Sequence, residues 1–134
     1  MTKLTILDTD YATLWYHTDD KIVQHVYHKF IYGKEFRDVL NKGVELLKEH
    51  GATKWLSDDR KNSALPTEDL NWSMTEWFPK AFEAGWRNWA IIMPDKVAGQ
   101  MNMNRIMKVN IDRGLNIKVF EDTNEALEWL KSIG

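Results

Sequence analysis

Within its first 50 residues the chain changes from apolar residues at every second position to apolar residues at helical spacing. Residues 4–6 and 12–17 alternate apolar and polar side chains, which is typical of strands with one buried face. After a polar turn, residues 22–27 are rich in β-branched and aromatic side chains and predict a third strand. Residues 34–50 then place their apolar side chains on one helical stripe. The change predicts an antiparallel meander followed by a helix that leads into a further strand.

Strands and helices continue to alternate toward the carboxyl end. A short apolar run at 53–56 predicts a buried strand, and Pro66 with the acids behind it predicts the start of a helix that Pro79 should break or kink. Further strands are predicted at 89–93 and 117–120, and further helices at 97–112 and 122–133.

This alternation predicts right-handed crossovers and a sheet covered by helices. The fold class expected for residues 1–134 is therefore a single α/β domain. Its central sheet is mixed and mostly parallel, with about six strands and an N-terminal antiparallel meander, and about four helices cover it.

Composition and charge argue against several classes of protein. The net charge is -2 with acids and bases interspersed, so a nucleic-acid partner is not expected. The chain has no cysteine, which removes disulfides and thiolate chemistry and suits a reducing cytoplasm. No long apolar run predicts a membrane span or a signal peptide. The histidines lack metal-ligand spacing and the glycines lack a phosphate-loop pattern, so neither a metal nor a cofactor is predicted.

The densest group of reactive side chains follows the predicted strand at 53–56. Asp58 and Asp59 could share a proton, hold a divalent cation, or position Arg60 for a carboxylate or a phosphate. In the alternative interpretation, one aspartate stabilises the turn and Arg60 pairs with it. Because ligands bind outside the carboxyl ends of strands in open α/β sheets, this segment is a candidate ligand site.

Aromatic residues crowd into the segment 72–89, and they supply more aromatic surface than one short helix needs. Trp72 and Trp77 could form the apolar wall of a binding groove, or they could fill an irregular core around Pro79. Pro94 ends another predicted strand on the same edge of the sheet. The candidate ligand-binding residues are Asp58, Asp59, Arg60, Trp72, Trp77 and Pro94.

The predicted helix at 97–112 has apolar side chains on two opposite faces. Met103, Ile106 and Val109 fall on one face, and Met101 and Ile111 are among those on the other. One face is expected to pack on the sheet and the other to meet a second subunit, with Met103, Ile106 and Val109 as interface candidates. In the alternative interpretation the helix is shorter or out of phase, and no interface follows.

The order of elements, the segments 55–60 and 90–94, and the segment 120–122 leading into 126–130 together resemble the STAS-like (SpoIIAA-like) proteins. The resemblance is closest to the uncharacterised bacterial branch of that group. It implies a small cytoplasmic protein with a binding or regulatory role. Some relatives carry a phosphorylated serine in an Asp-Ser-Ser-Gly-like turn, but Arg60 and Lys61 stand at the corresponding place, so that switch does not carry over.

Three functional hypotheses follow from these patterns. The first is a non-catalytic regulatory or protein-interaction module that forms a homodimer. The second is a protein that binds a small apolar or anionic ligand, with Trp72 and Trp77 as its wall and Arg60 as its anionic anchor. The third is an enzyme that uses Asp58 or Asp59 as acid or base, with His28 nearby. The first hypothesis is favoured because no catalytic motif is present.

Overall fold

The computed structural model describes residues 2–134, which form one six-stranded sheet with the strands in sequential order from β1 to β6. The pairs β1/β2 and β2/β3 are antiparallel, and each later strand is parallel to the one before it. The mixed sheet and its opening meander are confirmed. The strands are β1 Lys3–Asp8, β2 Ala12–His17, β3 Ile22–Tyr27, β4 Lys54–Asp58, β5 Asn88–Ile92 and β6 Asn116–Phe120.

The sequential strand order decides where the helices lie. Right-handed crossovers that always step in the same direction place their helices on one face of the sheet. Helices α1 to α4 therefore share one core with that face, whereas α5 packs on the opposite face against β4, β5 and β6. The helices are α1 Gly33–His50, α2 Thr67–Trp72, α3 Phe78–Glu83, α4 Val97–Arg113 and α5 Thr123–Ser132.

Helices α2 and α3 are joined into one helical unit, so the predicted count of about four helices is confirmed. Ser73–Trp77 form a π-turn between them, in which the Phe78 N–H donates to the Ser73 carbonyl. Proline has no N–H to donate, and the irregular turn lies directly before Pro79. Pro79 therefore lies beside a local irregularity and does not end the helix.

Helix α1 packs directly on the ring of Trp55 in the middle of the sheet. Gly43 makes this approach possible, because a Cβ atom at that position would overlap the indole. Trp55 is buried and also contacts Trp77 and Trp86, with ring centroids 5.4 and 5.9 Å away. The aromatic residues of segment 72–89 thus meet α1 through one tryptophan of β4.

None of the helices within residues 2–134 combines the length and the apolar character needed to cross a membrane.

Candidate functional site

A small cavity lies between the sheet and the helices α1, α3 and α4. Its volume is about 50 Å³, and it reaches the segment that follows β4. The wall is mainly aromatic, and its charged side chain is the carboxylate of Asp59. The residues that line the cavity include His25, Tyr27, Trp55, Asp59, Trp77, Phe78, Trp86 and Trp89.

A chain of buried hydrogen bonds runs along one side of this cavity. The Trp55 Nε1–H donates to His25 Nδ1 over 3.0 Å, and His25 Nε2 lies 2.8 Å from Asp59 Oδ1. An indole nitrogen can only donate, so Nδ1 must be the unprotonated nitrogen of the imidazole. The ring proton is therefore on Nε2, from which it is donated to Asp59. This arrangement holds His25 as a neutral imidazole.

The negative charge of Asp59 has no cationic partner within residues 2–134. Its side chain is 10% exposed, and among the described residues the one group in ion-pair range is the neutral imidazole of His25. The cavity wall contributes neither lysine nor arginine. Buried carboxylates are ordinarily paired with a positive charge, because removing an ion from water is costly. Asp59 is therefore the strongest electrostatic feature of the cavity.

Tyr27 responds to the same charge. Its ring lies 4.4 Å from that of His25, and the side chain is buried. Burial, and secondly the charge of Asp59, raise the pKa of Tyr27 well above its ordinary value. The folded protein therefore keeps the Tyr27 phenol protonated at a pH at which the same phenol ionises in the unfolded chain.

This difference predicts a loss of stability in alkaline solution. Above a pH of about 10 the unfolded chain releases the Tyr27 proton and the folded chain retains it, so the free energy of unfolding falls by about 1.4 kcal/mol per pH unit. The loss continues until the pH reaches the folded pKa of Tyr27. Urea unfolding of wild type and Tyr27→Phe measures this loss of stability at several pH values between about 9 and 11, a range that brackets the ordinary tyrosine pKa. Equal slopes for the two proteins would contradict the prediction.

Asp58 and Asp59 point to opposite faces of the sheet. Asp58, in the alternating pattern of β4, lies on the α5 side and binds Arg60 through two hydrogen bonds of 3.0 and 2.7 Å. Asp59 lies on the cavity side, where it accepts from His25. The two carboxylates therefore do not share a proton, and the pairing of Arg60 with an aspartate is the alternative that the geometry supports.

Arg60 lies outside the aromatic cavity, at the edge of a second, more open pocket of about 360 Å³. The hydrogen bonds that Arg60 donates to Asp58, and then the charge of Asp58, raise the pKa of Arg60, with further contributions from the charges of Asp95 and Asp122. Acidic Glu121 lines the same pocket. The guanidinium charge is already balanced by carboxylates, so the geometry does not support Arg60 as an anchor for an anionic ligand.

The two tryptophans expected to form one wall lie in different environments. Trp77 lines the cavity, is 3% exposed, and has an Nε1 atom without a hydrogen-bond partner among residues 2–134. Trp72 does not line it and packs instead against Phe36 and the guanidinium of Arg37. Pro94 contributes to both pockets. The cavity thus brings together three of the six predicted ligand residues, namely Asp59, Trp77 and Pro94.

Sequence reasoning missed His25 and named His28 as the neighbour of the aspartates. His28 is exposed, and its Nε2 atom lies 2.8 Å from Thr13 Oγ1. His25 could have been identified from the sequence, because strand alternation places it on the same face of β3 as Tyr27. Parallel pairing of β3 with β4 then sets His25 opposite Ser57, two residues before Asp59.

The predicted interface on α4 is wrong for two of its three residues. Met103 and Ile106 are buried, at 7% and 4% exposure, and belong to the main core. Val109 lies at the margin of that face and is partly exposed. The apolar side chains that α4 presents to the outside belong to the opposite face, among them Met101 and Ile111. The face predicted to meet a second subunit is the one that packs inward, and Met107, which helical spacing groups with Met101, also packs on the core.

The mixed six-stranded sheet, with helices on both faces, defines an α/β domain, and the match of a family model identifies it as STAS-like. The chain belongs to the SpoIIAA-like family, whose model matches residues 22–131. The matched part begins at β3 and includes the cavity residues described above. Comparisons with curated proteins and with solved structures found no match.

Proposed function

We propose that this protein is a regulatory or protein-interaction module of the SpoIIAA-like family and does not act as a catalyst. The supporting observation is the opposite orientation of Asp58 and Asp59. Each carboxylate is engaged by a different internal partner, Arg60 or His25, so the pair does not form the acid–base couple that a mechanism based on the two aspartates would need. A module of this kind acts through the surfaces and ligands that it binds.

The outer face of α4 is the surface proposed for such binding, in a homodimer. Val97, Met101 and Ile111 are 70%, 68% and 55% exposed there, although each is apolar. Exposed methionine suits an adaptable protein contact, and apolar side chains gathered on one surface favour association. A two-fold contact between copies of α4 would bury these side chains in both subunits.

The dimer is tested by sedimentation velocity over a range of protein concentrations. Wild type is expected to sediment as a dimer, and Met101→Glu as a monomer, because the introduced charge would be buried in the contact. Asn41→Glu adds the same charge on the exposed side of α1 and is expected to leave the dimer intact. A wild-type chain that remains monomeric at high micromolar concentration would refute this part of the proposal.

Small-ligand binding is the second candidate function, and the aromatic cavity favours it. Its wall contains the carboxylate of Asp59 and the unpaired Nε1–H of Trp77, two groups that a ligand could satisfy. The volume restricts the ligand to a small molecule.

The cytoplasmic location expected for the cysteine-free chain remains a prediction of the same proposal.

A further inference from the structure

We propose that the aromatic cavity binds a small organic ammonium ion that also carries an oxygen acceptor, such as a short amino alcohol. The inference rests on the second candidate function and specifies the chemical class of its ligand. Three independent properties of the cavity carry it: its charge, the character of its wall, and an unpaired hydrogen-bond donor.

The charge of the cavity selects a cation. Asp59 contributes a carboxylate, and the adjacent His25 is held neutral by the Trp55 indole. No bond to Asp59 Oδ2 is found among residues 2–134, so one carboxylate oxygen is available to a donor. An ammonium group would satisfy this oxygen with a charge-assisted hydrogen bond and would balance the buried charge. An anion would be repelled by the carboxylate of Asp59.

The wall of the cavity suits the same group. Trp77, Phe78, Trp86 and Trp89 contact one another with centroid separations from 5.0 to 5.7 Å, and all four line the space. Aromatic rings attract a cation through their negative faces, and this attraction is strongest where water is excluded. The wall therefore offsets part of the cost of removing an ammonium ion from water.

The unpaired N–H donor of Trp77 adds a second requirement, which is that the ligand carries a hydrogen-bond acceptor. Trp77 Nε1 is buried on the wall without a partner among residues 2–134. An unsatisfied buried N–H is costly, and a hydroxyl oxygen on the ligand would satisfy it. A water molecule needs at least about 10–15 Å³, so 50 Å³ accommodates a ligand of only a few non-hydrogen atoms. An ammonium nitrogen, a two-carbon spacer and a hydroxyl satisfy this limit.

The test compares three small probes of similar size on the full chain: ethanolamine, 1-propanol and propionate. They are cationic, neutral and anionic at neutral pH. The readout is the ¹H–¹⁵N signal of the Trp77 indole, identified by its loss in Trp77→Phe. Ethanolamine is expected to shift this signal saturably, with an affinity at least about tenfold above that of 1-propanol, because the bond to Asp59 is charge-assisted. Propionate is expected to leave the signal unchanged.

Two variants test whether the carboxylate of Asp59 supplies the charge that binds ethanolamine. Asp59→Asn retains an acceptor for His25 and is expected to weaken ethanolamine binding about tenfold or more. Asp58→Asn makes the same change at the adjacent residue on the other face and is expected to bind ethanolamine like wild type.

The outcomes separate the inference from the function on which it rests. Binding of 1-propanol or propionate as tight as that of ethanolamine would overturn the preference for a cation and leave ligand binding in place. A Trp77 signal that responds to none of the probes would mean that the cavity holds water only, and both would fail. The comparison of probes uses wild type, so it stands even if Asp59→Asn does not fold.

Discussion

The Gly43→Ala variant is expected to unfold at a much lower denaturant concentration than wild type. The new methyl group would overlap the Trp55 ring, which is enclosed by Trp77 and Trp86 and held by its hydrogen bond to His25. Overpacking of a well-filled core costs about 1–3 kcal/mol and occasionally more, and the enclosed ring favours the upper end. Alanine in a helix regains only about 1 kcal/mol over glycine. Steric overlap therefore outweighs helix propensity, and a net loss of about 2 kcal/mol or more is expected.

Two further variants make this result specific. Asn41→Ala introduces alanine at an exposed position of the same helix and is expected to change stability by no more than about 0.5 kcal/mol. Combining Gly43→Ala with Trp55→Phe provides space for the methyl group, so the double variant should lose less stability than the sum of the single losses. Additive losses, or a Gly43→Ala variant as stable as wild type, would contradict the packing of α1 on Trp55.

The second large effect is expected for His25→Leu. Leucine can neither accept the hydrogen bond of the Trp55 Nε1–H nor donate one to Asp59. Trp55 and Asp59 are both buried, so each would be left without this partner inside the protein. An uncompensated buried polar group costs about 1–3 kcal/mol, and more when it is charged. We therefore expect the free energy of unfolding to fall by about 3–5 kcal/mol, measured by urea unfolding followed by tryptophan fluorescence.

His28→Leu is the matched control for this experiment. His28 is exposed and makes its bond to Thr13 at the end of the sheet, so its loss is expected to cost less than about 1 kcal/mol. If the His25 and His28 variants lost the same stability, the buried chain from Trp55 to Asp59 would not contribute to folding in the manner described.

The fold was predictable because its evidence is local. Alternation in β2 and the helical stripe of α1 each reflect one buried face, and a chain of alternating strands and helices has few ways to cover both faces of a sheet. The π-turn before Pro79 was not predictable in this way. It depends on how the missing N–H of one proline is accommodated in three dimensions.

The candidate site was predicted only in part, because its key relations join residues far apart in the chain. Asp59 was identified from its position after a strand, but its partner His25 lies 34 residues earlier and meets it through the register of β3 with β4. The two faces of α4 were also separable by spacing. Spacing alone does not tell which face is buried, because that depends on where the core lies. Met103 and Ile106 were for this reason predicted to face outward, whereas both are buried.

The sequential order of the strands has a consequence for how the chain folds during synthesis. Each strand pairs with the strand made just before it, so no strand has to be inserted between two others that are already joined. The sheet can grow at one edge as the chain leaves the ribosome, and each parallel step closes a single crossover connection instead of a loop that spans several strands. The meander supplies the first template, and β6 completes the growing edge last.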